Sequence, residues 1–124
     1  IQSINVFLQP ANPGHIKNVW ENCARILASK DDETLLPYTT QLLEWLQDLN
    51  WPGALIVLDR LKKFAVSDRF VFSVKECVKM AASCNDQIWL DYLSELLDNE
   101  PLKAKLSDEI LTILKKHYQN WGNY

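Results

Sequence analysis

The sequence has little glycine, little histidine and no long apolar run. Three Gly and five Pro, spread widely over 124 residues, leave no linker and no low-complexity segment, so one domain over 1–124 is expected. The longest uninterrupted apolar stretches are a few residues, such as Ala54 to Leu58, too short for a membrane-spanning helix. The first ten residues lack the basic start and long apolar core of a secretory leader. Cysteine is odd in number, three in all, which argues against a disulfide framework and for a reduced, cytoplasmic setting. No charge of one sign dominates. With 13 basic and 16 acidic residues the net charge is −3, so the chain has no overall attraction for phosphate backbones or anionic lipid.

The usual marks of catalysis are missing as well. The two histidines, His15 and His117, lie at opposite ends of the chain, and a metal site needs more ligands at set spacing. No Gly-rich phosphate loop, nucleophile elbow or pair of metal carboxylates is present. Cys23, Cys77 and Cys84 fall on predicted apolar faces, where a free thiol behaves as a small hydrophobe. His117 falls in the apolar stripe of its helix and reads as a packed histidine. A non-enzymatic chain without cofactor or metal is expected. An enzyme assembled from dispersed residues would instead show a deep pocket with perturbed carboxylates.

What the chain does have is a core. Hydrophobic residues make up 48% of it and five are Trp, which excludes a disordered polymer. The richest stretch is 42–54. At 100° per residue Tyr38, Leu42, Trp45, Leu46 and Leu49 fall in a stripe about 100° wide, with Gln41, Glu44, Gln47 and Asp48 opposite. Pro52 suits the first turn of a helix and biases Trp51 away from helical geometry. A helix, a corner and a second helix follow.

Period and punctuation predict six helices. They run from about Pro13 to Ser29, Thr34 to Leu49, Pro52 to Phe64 or Ala65, Asp68 to Ser83, Asn85-Asp86 to Asp98, and from Ser107-Asp108-Glu109 onward. The last carries Tyr118 and Trp121 on its apolar face, and a short turn after Pro101 precedes it. Ser67 is a good N-cap. The third helix is apolar on most of its circumference, Leu55 and Ile56 included, and is expected to be central. Residues 1–12 are expected as a tail packed on the domain. Hairpins over 13–49, 52–83 and 86–121 start roughly 35 residues apart, the spacing of α-solenoid repeats. A compact six-helix bundle is the alternative.

Residues 42–52 read Leu-Leu-Glu-Trp-Leu-Gln-Asp-Leu-Asn-Trp-Pro, and Asp86-Gln87-Ile88-Trp89 adds an acidic residue before an apolar helix with Trp. These elements resemble the signature of a bacterial family, domain of unknown function 5071, over roughly residues 34–98. The stretch after Pro101 carries nothing diagnostic. The resemblance implies a HEAT-like helical repeat, no enzyme activity and no established ligand. The expected fold is therefore all-α, antiparallel helix hairpins stacked as a short HEAT-like right-handed α-solenoid. Small helical proteins of this type resemble immunity proteins that neutralise a toxin from the same locus, so a protein partner, such as a basic toxin, is the expected function.

Candidate partner-binding residues follow from charge and aromaticity. Glu44 and Asp48 form one acidic pair four residues apart, and Asp91, Glu95 and Asp98 form a second ridge. Like charges at that spacing repel mildly, so these ridges are expected to be solvated and able to meet a basic partner. Trp51, Trp89 and Phe72 are the candidate anchors, because aromatic residues concentrate at interface hot spots. Trp45 lies squarely in the core stripe. Nucleic acid is the alternative partner, through Arg60, Lys62, Lys63, Lys75 and Lys79, and the acidic balance weighs against it.

Overall fold

The computed structural model describes residues 17–48 and 51–118. Among them the chain is helical throughout. The helices are α1 (Lys17–Ala28), α2 (Asp32–Leu35), α3 (Thr39–Glu44), α4 (Ala54–Lys62), α5 (Asp68–Ser83), α6 (Gln87–Ser94), α7 (Glu100–Lys105) and α8 (Asp108–His117). Tighter 3-10 turns occupy Leu36–Tyr38, Trp45–Gln47 and Glu95–Asp98. The expected tail at 1–12, the first residues of the first helix, His15, Leu49, Asn50 and Trp121 lie outside the described residues.

Three helix starts follow from side-chain caps. Ser67 accepts from the Phe70 amide at 3.3 Å, Asp86 from Trp89 at 3.1 Å and Ser107 from Ile110 at 3.4 Å, each satisfying an N–H that has no intrahelical partner. Asp31 caps α2 in the same way, 2.8 Å from the Thr34 amide. That hydrogen-bonded neighbour also holds its carboxyl below the usual range.

Several expected elements differ in outline. The fifth helix passes into a 3-10 turn after Ser94, and the short turn expected after Pro101 is a helix, α7, that opens at Glu100 behind its Asn99 cap. The second expected helix is broken into α2, a 3-10 turn, α3 and a second 3-10 turn. Pro37 lies in the first of these turns, and its nitrogen has no hydrogen to return to the preceding turn. The third helix begins at Ala54 instead of Pro52. The Ala54 amide donates to Trp51 O at 3.1 Å, and Gly53 has φ 83° and ψ −7°. A type II turn requires positive φ at its third residue and favours proline just before it. Pro52-Gly53 is thus the turn itself, and the helix starts after it.

This turn is pressed against α1. A Cβ on Gly53 would stand 2.6 Å from Ala24 Cβ and 3.2 Å from Trp20 O. The Trp45 indole donates to Pro52 O at 3.1 Å. Trp20 meets Trp45 and Trp51 edge-on, with centroids 6.4 and 5.9 Å apart, the geometry favoured by ring quadrupoles.

From this corner α4 packs on α1, α3 packs on α5, and α5 packs on both α6 and α8. The Trp45–Gln47 turn reaches both α4 and α6. The centre of the molecule is α6 with the turn that follows it, where every residue from Trp89 to Leu97 is buried. The expected central helix, α4, buries Ala54, Val57, Leu58 and Leu61 but leaves Leu55 56% exposed. Asn99 joins the two. Its buried amide donates to Leu61 O and Phe64 O at the end of α4, while its carbonyl accepts from the Leu102 amide at the start of α7.

Two substitutions probe these joints. Gly53→Ala should cost at least about 2 kcal/mol in urea unfolding, from the left-handed backbone and the clash together. Ala24→Gly in the same chain should recover part of that loss, since only the clash is relieved. Asn99→Ala should cost about 2–3 kcal/mol, as it removes a helix cap and leaves buried carbonyls without a donor.

Candidate functional site

Asp91, Glu95 and Asp98 do share one face of α6 and its following turn, but only Asp98, at its far end, is exposed. Asp91 is 5% exposed and Glu95 6% exposed, so neither lies on the solvated ridge expected of them. Asp91 Oδ1 is 2.6 Å from His117 Nδ1 near the end of α8. Lys62 Nζ of α4 lies 3.1 Å from Asp98 Oδ2 and 4.0 Å from Glu95 Oε1. The Tyr118 hydroxyl donates to Asp98, and this bond, with Lys62, holds the Asp98 carboxyl below the usual range. Carboxylates taken out of water need partners. Here those partners come from α4 and from the end of α8, so the ridge works as a clasp that ties both to α6.

His117 packs as expected, with the added feature that its ring faces Asp91. An Asp–His pair of this kind is also half of a nucleophilic triad. Among the described residues no serine, threonine or cysteine side chain hydrogen-bonds to the imidazole.

The remaining candidates are dispersed. Trp89, expected as an anchor, is buried, and its indole donates to Leu43 O at 3.1 Å; it joins α6 to α3 and is a core residue. Trp51 is half-buried at the corner beside Trp20. Asp48 is half-buried near the Tyr92 hydroxyl, which burial pushes up, with Asp48 and Asp91 adding to the effect. Glu44 is half-buried at the end of α3, and loss of solvent raises its carboxyl above the ordinary value. Phe72 alone of the candidates stands well out, 60% exposed on α5.

The cysteines divide. Cys23 and Cys77 are buried as expected, and the Cys77 thiol is pushed up to about 12 by burial, with Glu44 and Glu76 adding. Such a thiol is unreactive at neutral pH. Cys84, expected on an apolar face, is exposed. It follows the last residue of α5, beyond the final buried turn of that helix.

The cations proposed for nucleic acid do not form a free stripe either. Arg60 pairs with Asp32 at 2.5 Å, donates to Lys30 O at 2.9 Å and lies over the Phe64 ring. Lys62 is held in the clasp, and Lys63 pairs with Asp59 at 3.1 Å. Among the described residues no three His, Cys, Asp or Glu side chains converge as a metal site. Among the same residues no helix is long and apolar enough to cross a membrane. An open groove of about 490 Å³ runs past Ala28, Leu55, Ile56, Asp59, Arg60 and Lys63.

Reading the sequence missed Asn99, Lys62 and Tyr118 as structural partners. His117 is 26 residues from Asp91 and Asn99 is 38 from Leu61, separations that no helical spacing rule spans.

The fold and its clasp define an all-helical domain held together by tryptophan packing and internal ion pairs. The family described as a domain of unknown function (DUF5071) matches residues 20–124, and the chain belongs to it. The match is longer than the likeness over 34–98. It opens at Trp20, the ring seated against the corner, and takes in α7 and α8, whose last residues complete the clasp. No curated protein and no solved structure matches the chain.

Two carboxyls should reveal themselves by opposite pH dependence. Glu44 titrates higher when folded, so its charge destabilises the native state at neutral pH and that cost fades as the pH falls. Glu44→Gln should be more stable than the parent at pH 7, with the gain shrinking toward pH 4. Asp98 titrates lower when folded, so its contribution is present above the ordinary carboxylate value and is lost in acid. Tyr118→Phe should be less stable at pH 7, and the difference should close as the pH falls through the lowered value. Urea unfolding at a series of pH values reads both.

Proposed function

We propose that this chain is a non-enzymatic protein-interaction module, a cytoplasmic immunity protein of bacterial origin that neutralises a toxin from the same locus. In this reading its helices form hairpins stacked as a short right-handed HEAT-like solenoid. The packing of α1 on α4, of α3 on α5 and of α5 on α8 supports that stacking, because each of these pairs joins helices that hold the same place in successive hairpins. The α3–α5 contact also runs in parallel register. Thr39 and Thr40 bond to Ser73, and four or five residues further along both helices Glu44 acts on Cys77.

The observation that carries the function is the contrast between inside and outside. Of the acidic ridge expected to receive a basic partner, Asp91 and Glu95 are buried, and all three carboxylates, Asp98 included, face partners within the fold. Phe72 is left 60% exposed on α5, opposite the buried face of Phe70, Val74, Cys77 and Val78. An exposed aromatic on a rigid helix offers large contact area at small entropic cost.

The affinity-tagged full chain should retain the product of a neighbouring gene, and its expression should protect cells that make that product. Phe72→Asp should abolish both effects while leaving the far-ultraviolet dichroism unchanged. If the neighbouring product is not retained and cells gain no protection, the immunity assignment is wrong.

A further inference from the structure

The outer face of α5 carries a mixed pattern of charge and apolar surface. At 100° per residue Arg69, Phe72, Lys75, Lys79 and Met80 fall within an arc of roughly 140°, which also takes in Asp68 and Glu76. Met80 is 52% exposed and follows Phe72 by eight residues, about 12 Å along the axis at the α-helical rise. Arg69 and Lys79 are exposed and Lys75 is half-buried. Among the described residues these three cations make no ion pair, whereas Arg60 and Lys62 of α4 and Lys63 just after it are all paired within the fold. In a chain of net charge −3, this face offers two apolar anchors among three cations and two carboxylates, with Lys75 and Lys79 together along one edge.

We propose that the outer face of α5 docks an acidic amphipathic helix of a protein partner, with its aliphatic side chains on Phe72 and Met80 and its carboxylates beside Lys75 and Lys79. The proposal rests on the interaction-module reading and gives the partner's chemistry: acidic here, in place of the basic partner expected from the acidic ridges. Two carboxylates on the same helix choose between a protein segment and a uniform polyanion. Asp68 lies in the first turn of α5, and Glu76 is exposed between Phe72 and Met80. A membrane surface or a nucleic-acid backbone would be repelled by both. A segment with discrete side chains can leave its own charge out at those points and place it beside the lysines. Two aliphatic residues seven or eight apart on the partner helix would match the spacing of the anchors.

The test is selection of a displayed library of randomised helical peptides on the full chain, followed by binding assays with Phe72→Ser and Lys79→Glu variants. Both positions are exposed, so the variants should keep the parent's dichroism and melting temperature. The enriched peptides should combine Leu, Ile or Met seven or eight apart with interleaved Asp or Glu. Their binding should weaken at least ten-fold in either variant and should weaken with added salt. The proposal is overturned if nothing is enriched, if the enriched peptides are basic, or if they bind the variants as well as the parent. Salt-sensitive retention on heparin or phosphatidylserine vesicles that both variants lose would also overturn it, in favour of a polyanion. A neighbouring gene product that binds parent and variants equally would leave the module reading standing and remove this face from it.

Discussion

At Gly53 the backbone of a turn lies against α1 with no room for a single added carbon. That approach sets the distance between the first helix and everything after it. It places Trp20 edge-on to Trp45 and Trp51 and gives the Trp45 indole a carbonyl of the turn as its acceptor. With Trp45 fixed, the 3-10 turn that bears it touches both α4 and α6, so the corner spaces the halves of the core as well as joining two helices. A turn that could close with a larger residue would push α1 outward, and the dense interior would lose contacts along the whole seam.

The second constraint is electrostatic. A helix with every residue from Trp89 to Leu97 buried also carries two buried carboxylates, which water would otherwise solvate. Their partners are drawn from α4 and from the end of α8, and the same set of bonds fixes where α8 sits. Buried ion pairs are weak evidence for stability, because desolvation offsets much of their attraction. They are stronger evidence for arrangement, since a shifted α8 would leave Asp91 without His117 and Asp98 without Tyr118. Asn99 acts similarly between α4 and α7. The family match runs through α8, as it should if that helix completes the domain.

Turning these carboxylates inward changes what remains for function. The surface that composition marks as the recognition face is used up by the fold, and the cations of α4 are spent in the same way. Among what stays uncommitted is a smaller and differently charged surface, the outer face of α5, with Phe72, Met80 and two lysines that make no ion pair among the described residues. For the interaction proposed above one rigid patch of this sort would suffice, because a few anchors carry most of the energy of an interface.

Local chemistry was legible in the order of residues. Helix caps at Ser67, Asp86 and Ser107, the apolar stripe through Trp45 and the all-helical class all follow from interactions within four or five residues, which spacing encodes directly. A corner near Pro52 was legible, but proline alone suggested a helix start, and the type II turn at Pro52-Gly53 shows only in the positive φ of Gly53. The direction in which Asp91, Glu95 and Trp89 face was not legible. A carboxylate at helical spacing looks the same whether water or a distant histidine will hold its charge, and only tertiary packing brings His117, Lys62 and Tyr118 to it. Sequence by itself determined the helical class and the capped helix starts at Ser67, Asp86 and Ser107, because those choices are settled by neighbours along the chain. Which of their faces meet solvent was decided by the fold alone, because burial depends on residues tens of positions away.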